Sequence, residues 1–151
     1  MLHVALWEPE IPPNTGNIAR LCAANGVPLH LIGRLGFRLD DRDLKRAGCD
    51  YWPHVDCRRH LTWDDFFTAM SGSRIIVVSR HARENYCQFR YADGDCLLFG
   101  SESKGLPDSI RARFADTAVT IPMSTPHVRS LNLATAVGIV LYEALRQRNG
   151  W

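Results

Sequence analysis

The chain has little imbalance of charge: 18 Lys and Arg stand against 16 Asp and Glu, leaving a formal charge of +2. A strongly basic domain would announce nucleic-acid binding by itself; here such a role has to come from a local arginine patch. No C-x-x-C pair occurs among the five cysteines (Cys22, Cys49, Cys57, Cys87, Cys96), which removes zinc ribbons and thioredoxin-like redox chemistry. They are expected to be reduced, partly buried thiols. No H-x-x-x-H pair exists among the six histidines, so no helix face offers a metal two ligands, and no metal is expected. Apolar runs stay well short of the roughly 18 residues of a membrane span. The opening Met1-Leu2-His3-Val4 lacks the charged and apolar regions of a signal peptide. The expectation is a cytoplasmic protein with no membrane partner.

What is present is a 151-residue chain, 46% apolar, enough for one domain over residues 1–151 with a full core. Val4 and Leu6 alternate with smaller or polar neighbours in a first strand, His3 to Trp7. The three prolines between Glu8 and Pro13 exclude a helix there. Asn14-Thr15 supplies cap chemistry for a helix to about Asn25, stopped by Gly26. Leu29 to Ile32 reads as a strand, Asp40 to Ala47 as a short charged helix, and Leu61 to Met70 as a helix capped by Thr62. The β-branched run Arg74 to Val78 suits a strand buried on both faces. Asp95 to Phe99 and Ala118 to Ile121 are further strands, with a helix from Pro107 to Phe114 between them. A terminal helix from about Leu131 carries Leu133, Val137, Leu141 and Leu145 at four-residue spacing. Strands alternating with helices predict an α/β domain, a mainly parallel sheet flanked by helices.

Three constellations can carry chemistry. On the first helix Asn17 and Arg20 share a flank, and Arg20 is either a solvated cation or one awaiting an anion. The turn Gly100-Ser101-Glu102-Ser103-Lys104-Gly105-Leu106-Pro107 places Lys104 before its second glycine. That order rejects a Walker phosphate loop, and G-x-G-x-x-G is absent as well. What remains is an ordinary strand-to-helix connection, or a loop whose glycines admit a ligand with Glu102 on its rim. Ile121-Pro122-Met123 and Arg129-Ser130-Leu131-Asn132-Leu133 then lead into the last helix. Ser130 and Asn132 sit at the helix start, where capping alone is one reading of Ser130, while the segment around Pro122 offers carbonyls to an amine such as that of adenine.

Taken in order, these stretches resemble the motifs of the SPOUT-class, TrmH-like RNA ribose 2′-O-methyltransferases, from Trp7 to Arg146. The stretches Trp7 to Asn17 and Arg46-Ala47-Gly48-Cys49-Asp50-Tyr51-Trp52 look most like the minimal TrmL-type group. The resemblance implies a C-terminal deep trefoil knot, an exception to the avoidance of knots. It also implies S-adenosylmethionine as cofactor, bound by Val78, Gly100, Glu102, Gly105, Ile121, Met123, Ser130 and Leu131. Arg20, Asn14, Ser130 and Asn132 would be catalytic. Asn17, Arg129 and Tyr142 would serve RNA or a homodimer interface, with both uses of Tyr142 open. Ala134 stands where many members carry Ser, so no hydroxyl is available at that position.

The implied reaction is 2′-O-methylation of the wobble nucleotide (position 34, cytidine or modified uridine) of leucine tRNAs, reached through the anticodon stem-loop. Another tRNA or rRNA position is the alternative substrate, and a non-catalytic RNA-binding protein on the same scaffold is the alternative class. The guanidinium of Arg20 stays protonated, so it is expected to hold phosphate and stabilise developing alkoxide charge rather than act as a base.

Overall fold

Period-two alternation in the apolar runs builds a sheet with both faces covered. The computed structural model describes residues 1–47 and 49–151, without the side chains of Cys49 and Asp50. The centre of the Arg46–Trp52 stretch therefore lies outside the described residues. The strands are β1 (His3–Trp7), β2 (Leu29–Ile32), β3 (Cys57–His60), β4 (Ile75–Val78), β5 (Glu84–Asn85), β6 (Cys96–Phe99) and β7 (Ala118–Thr120). They form a single sheet in the order β3-β2-β1-β6-β4-β7-β5, and all the strand pairs are parallel.

The helices are α1 (Pro12–Asn25), α2 (Arg42–Ala47), α3 (Trp63–Ala69), α4 (Asp108–Arg113) and α5 (Leu133–Asn149). Val4, Leu6, Ile76, Leu97 and Phe99 face Ile18 and Cys22 of α1 and Val137, Val140 and Leu141 of α5. Their neighbours Ala5, Ile75, Val77, Cys96 and Leu98 face the opposite way, onto Phe66, Met70 and Ile110. Successive side chains of a strand point to opposite faces, so each short run serves two cores. Cys22 and Cys96 are buried free thiols, Cys57 is half-buried, and Cys87 is exposed.

The structure corrects the sequence reading in several places. Helix α1 begins at Pro12, with both prolines in its first turn, where a missing N–H costs nothing. Its N-cap is Ile11, which gives no side-chain cap bond; Asn14 lies inside the helix. Helix α5 begins at Leu133, with Asn132 as its cap, and α3 spans only Trp63–Ala69. Strands β3 and β5 had no apolar signature to reveal them. β3 is an edge strand, Cys-Arg-Arg-His, and its Arg59 guanidinium donates to the carbonyls of Leu31, Gly33 and His60. Charge on an edge discourages pairing with another chain.

A row of histidines crosses β1, β2 and β3. His3 Nδ1 lies 3.0 Å from His30 Nε2, and His30 Nδ1 lies 2.8 Å from His60 Nε2. Phe66 packs edge-on against His30 and His60. Burial is the chief cause that lowers all three pKa values, that of His30 to about 3.

Candidate cofactor pocket and its anchoring network

Strands β4, β6 and β7 are neighbours, so their carboxyl ends open side by side, the usual ligand position in a parallel sheet. The segments that leave them enclose a cavity of about 490 Å³, within the range of small-molecule sites. Val78 closes β4, Phe99 closes β6 and Thr120 closes β7, and all three line it. Ile121, Met123 and the Arg129–Leu133 segment complete the wall from the side of α5.

The loop after β6 is held in a tight turn. Ser101 and Gly105 exchange backbone hydrogen bonds of 3.2 and 2.9 Å. A Cβ on Gly100 would stand 2.3 Å from the Gly105 carbonyl carbon, so only glycine fits. Gly105 has φ +66°, in the left-handed region that favours glycine. The two glycines therefore serve the loop's closure on itself, and the folded loop presents its edge to the cavity.

Glu102 lines the cavity and also reaches back to the start of α1. Its carboxylate accepts from the backbone N–H groups of Glu10 and Ile11 at 2.9 and 2.8 Å, and from Asn14 Nδ2 at 3.3 Å. It thus satisfies, from a loop some 90 residues away, the N–H groups of Ile11, the N-cap residue of α1, and of Glu10 before it. Asn14 is 7% exposed, and its Oδ1 accepts from Asn132 Nδ2 at 2.9 Å. Asn132 Oδ1 in turn accepts from Thr135 N, which caps α5. Glu102, Asn14 and Asn132 therefore form one chain of hydrogen bonds joining the loop, α1 and α5. Glu10 adds a second clasp by accepting from Ser103 N and Oγ at 3.0 and 2.6 Å. Those bonds hold its carboxyl below the usual carboxylate range.

Of the expected cofactor residues, Val78, Gly100, Glu102, Gly105, Ile121, Met123, Ser130 and Leu131 all line the cavity. Asn14, Asn132 and Arg129 line it too, and the Arg129 carbonyl accepts from Arg80 Nη1. Arg20, Asn17 and Tyr142 lie elsewhere. Arg20 is six residues beyond Asn14, about 9 Å along the helix axis, and its guanidinium stands over the Tyr51 ring. Asn17 is exposed on the same helix. The Tyr142 hydroxyl accepts from Asn25 Nδ2, and its ring lies 6.3 Å from that of Trp151. Sequence reasoning assigned no role to Glu10 or Tyr51. Each has its partner far off in sequence or on another element. No cluster able to hold a metal occurs among the described residues, and no helix among them is long and apolar enough to cross a membrane.

Residues 1–142 match the model of the SpoU rRNA Methylase family. The chain belongs to this family. The SpoU chain is 46% identical over 148 residues to the tRNA (cytidine(34)-2′-O)-methyltransferase of Escherichia coli K12, covering 97% of this chain and 94% of that protein. A solved structure concerned with 2-OH methylation of C/U34 on tRNA is 52% identical, with a TM-score of 0.95, covering 100% of this chain and 98% of that one. AviRb, a SpoU methyltransferase of Streptomyces viridochromogenes in complex with AdoMet, is 28% identical with a TM-score of 0.87. That match covers 100% of the SpoU chain and 62% of AviRb.

Proposed function

We propose that this chain transfers a methyl group from S-adenosylmethionine to the ribose 2′-oxygen of nucleotide 34 in leucine tRNAs. The observation that carries the reading is the cavity at the ends of β4, β6 and β7, tied to α1 and α5 by Glu102, Asn14 and Asn132. The cofactor suits that space: Val78, Ile121 and Leu131 offer apolar walls, and the Gly100–Gly105 turn brings backbone close to a ligand. When bound, it supplies an electrophilic methyl on a sulfonium whose leaving group is a neutral thioether. The residues then chiefly position reactants. Asn14 and Asn132 hold the cofactor wall in register with α1. Ser130 lies in that wall and orients the ribose. Arg20 binds the phosphate beside the target ribose and stabilises negative charge building on the 2′-oxygen, while the hydroxyl proton leaves to a phosphate oxygen or to water.

In this reading residues 1–151 are one domain, and the segment from β6 to α5 forms a deep trefoil knot. Strand β7 lying between β4 and β5, both earlier in the chain, supports such threading. A homodimer joined through α1 and α5 brings Asn17, Arg129 and Tyr142 to the RNA or the interface and doubles a modest positive charge. The setting is cytoplasmic.

The test incubates purified protein with labelled methyl donor and, separately, tRNA and rRNA. Label entering tRNA alone supports the reading; label entering rRNA alone refutes the substrate. Arg20→Lys separates roles at the arginine. A planar guanidinium contact predicts a rate loss of about 10-fold or more, whereas an unchanged rate rejects that role.

A further inference from the structure

Arg20 is exposed on α1, and its guanidinium carbon stands 5.3 Å from the centroid of the Tyr51 ring. Tyr51 belongs to the 3-10 turn Cys49–His54, which packs beside α1, and it remains 47% exposed. A cation at that distance is attracted by the negative face of the ring. Stacking engages the plane of the guanidinium, while phosphate recognition uses the N–H groups at its edge, so the two contacts are compatible.

We infer that Tyr51 is a positioning residue that holds Arg20 in the orientation that meets the target nucleotide's phosphate. The inference rests on the reading of Arg20 given above. It concerns the ring and not the hydroxyl, and it places the effect on turnover of the RNA and not on cofactor binding. Tyr51 lines no part of the cavity.

The experiment compares Tyr51→Phe, Tyr51→Leu and Arg20→Ala in the full chain. It measures kcat and KM for tRNA, S-adenosylmethionine affinity by calorimetry, and Tm. Tyr51→Phe is expected to stay within about twofold of the parent. Tyr51→Leu is expected to lose roughly three- to tenfold in kcat, with Tm and cofactor affinity unchanged. A parental kcat in Tyr51→Leu overturns the inference. So does an equal loss in Tyr51→Phe, which would assign the effect to the hydroxyl. A Tyr51→Leu loss that travels with lowered Tm and cofactor affinity also overturns it, because the tyrosine would then be structural. Arg20→Ala separates the two levels. If Arg20→Ala is inactive while Tyr51→Leu is normal, only the role of Tyr51 fails. If Arg20→Ala is fully active, the reading of Arg20 itself fails.

Discussion

Replacing Glu102 with alanine tests whether the loop after β6 anchors the start of α1. The carboxylate accepts two backbone N–H groups, from Glu10 and Ile11, and one side-chain amide, from Asn14. Ile11 gives the helix no side-chain cap of its own. Loss of the two backbone hydrogen bonds costs about 1–2 kcal/mol. The contact with buried Asn14 adds a further hydrogen bond, so the sum is about 2 kcal/mol. In a chain of this size that corresponds to a fall in Tm of about 4–8 °C. Asn14 also loses its fixed orientation toward Asn132, so affinity for S-adenosylmethionine should fall with stability. Thermal unfolding at matched protein concentration and cofactor calorimetry measure the two effects. An unchanged Tm would refute the anchoring role, and a lowered Tm with parental cofactor affinity would refute the link from Glu102 through Asn14 to the cavity wall.

Gly100→Ala puts a methyl 2.3 Å from the Gly105 carbonyl carbon, too close to backbone for a side-chain adjustment. Loss of detectable cofactor binding is expected by calorimetry, together with a stability loss of more than about 2 kcal/mol; parental affinity would contradict the tight-turn account. The histidine row sets a pH dependence. Its folded-state pKa values lie below the free-histidine value, that of His30 at about 3, so below about pH 6.5 the unfolded chain binds protons that the folded chain refuses. The contribution is complete above that pH and is lost as pH falls toward 3. His30 alone should cost about 2 kcal/mol between pH 6.5 and pH 5. Asp56 and Asp65 oppose the lowering, while Arg58, Arg59 and the N-terminus add to it. Denaturant unfolding across that range should show a slope that His30→Gln flattens.

Elements with an apolar signature were legible in the sequence. The runs at Val4 to Leu6, Leu29 to Ile32, Ile75 to Val78 and Leu97 to Phe99 announce strands because they must be buried on both faces. β3 and β5 escaped because strand pairing uses backbone groups, and Arg58, Arg59, Glu84 and Asn85 carry no apolar period. The first turn of α1 was misread because proline excludes a helix interior but fits a helix start. At the site, spacing along Gly100 to Leu133 placed the cavity, since those residues follow strand ends. The clasp from Glu102 to Asn14 and Asn132 joins residues about 90 and 118 positions apart. No local pattern encodes such a contact, and only the order of the strands brings its members together.

In the proposed reaction the cavity delivers a methyl to the ribose 2′-oxygen of nucleotide 34. Purified leucine tRNA lacking the modification, incubated with the protein and isotopically labelled S-adenosylmethionine, can be digested with ribonuclease and mapped by mass spectrometry. One labelled methyl on the ribose of nucleotide 34 is the expected product. A methyl on a base, or on the ribose of any other nucleotide, would contradict it.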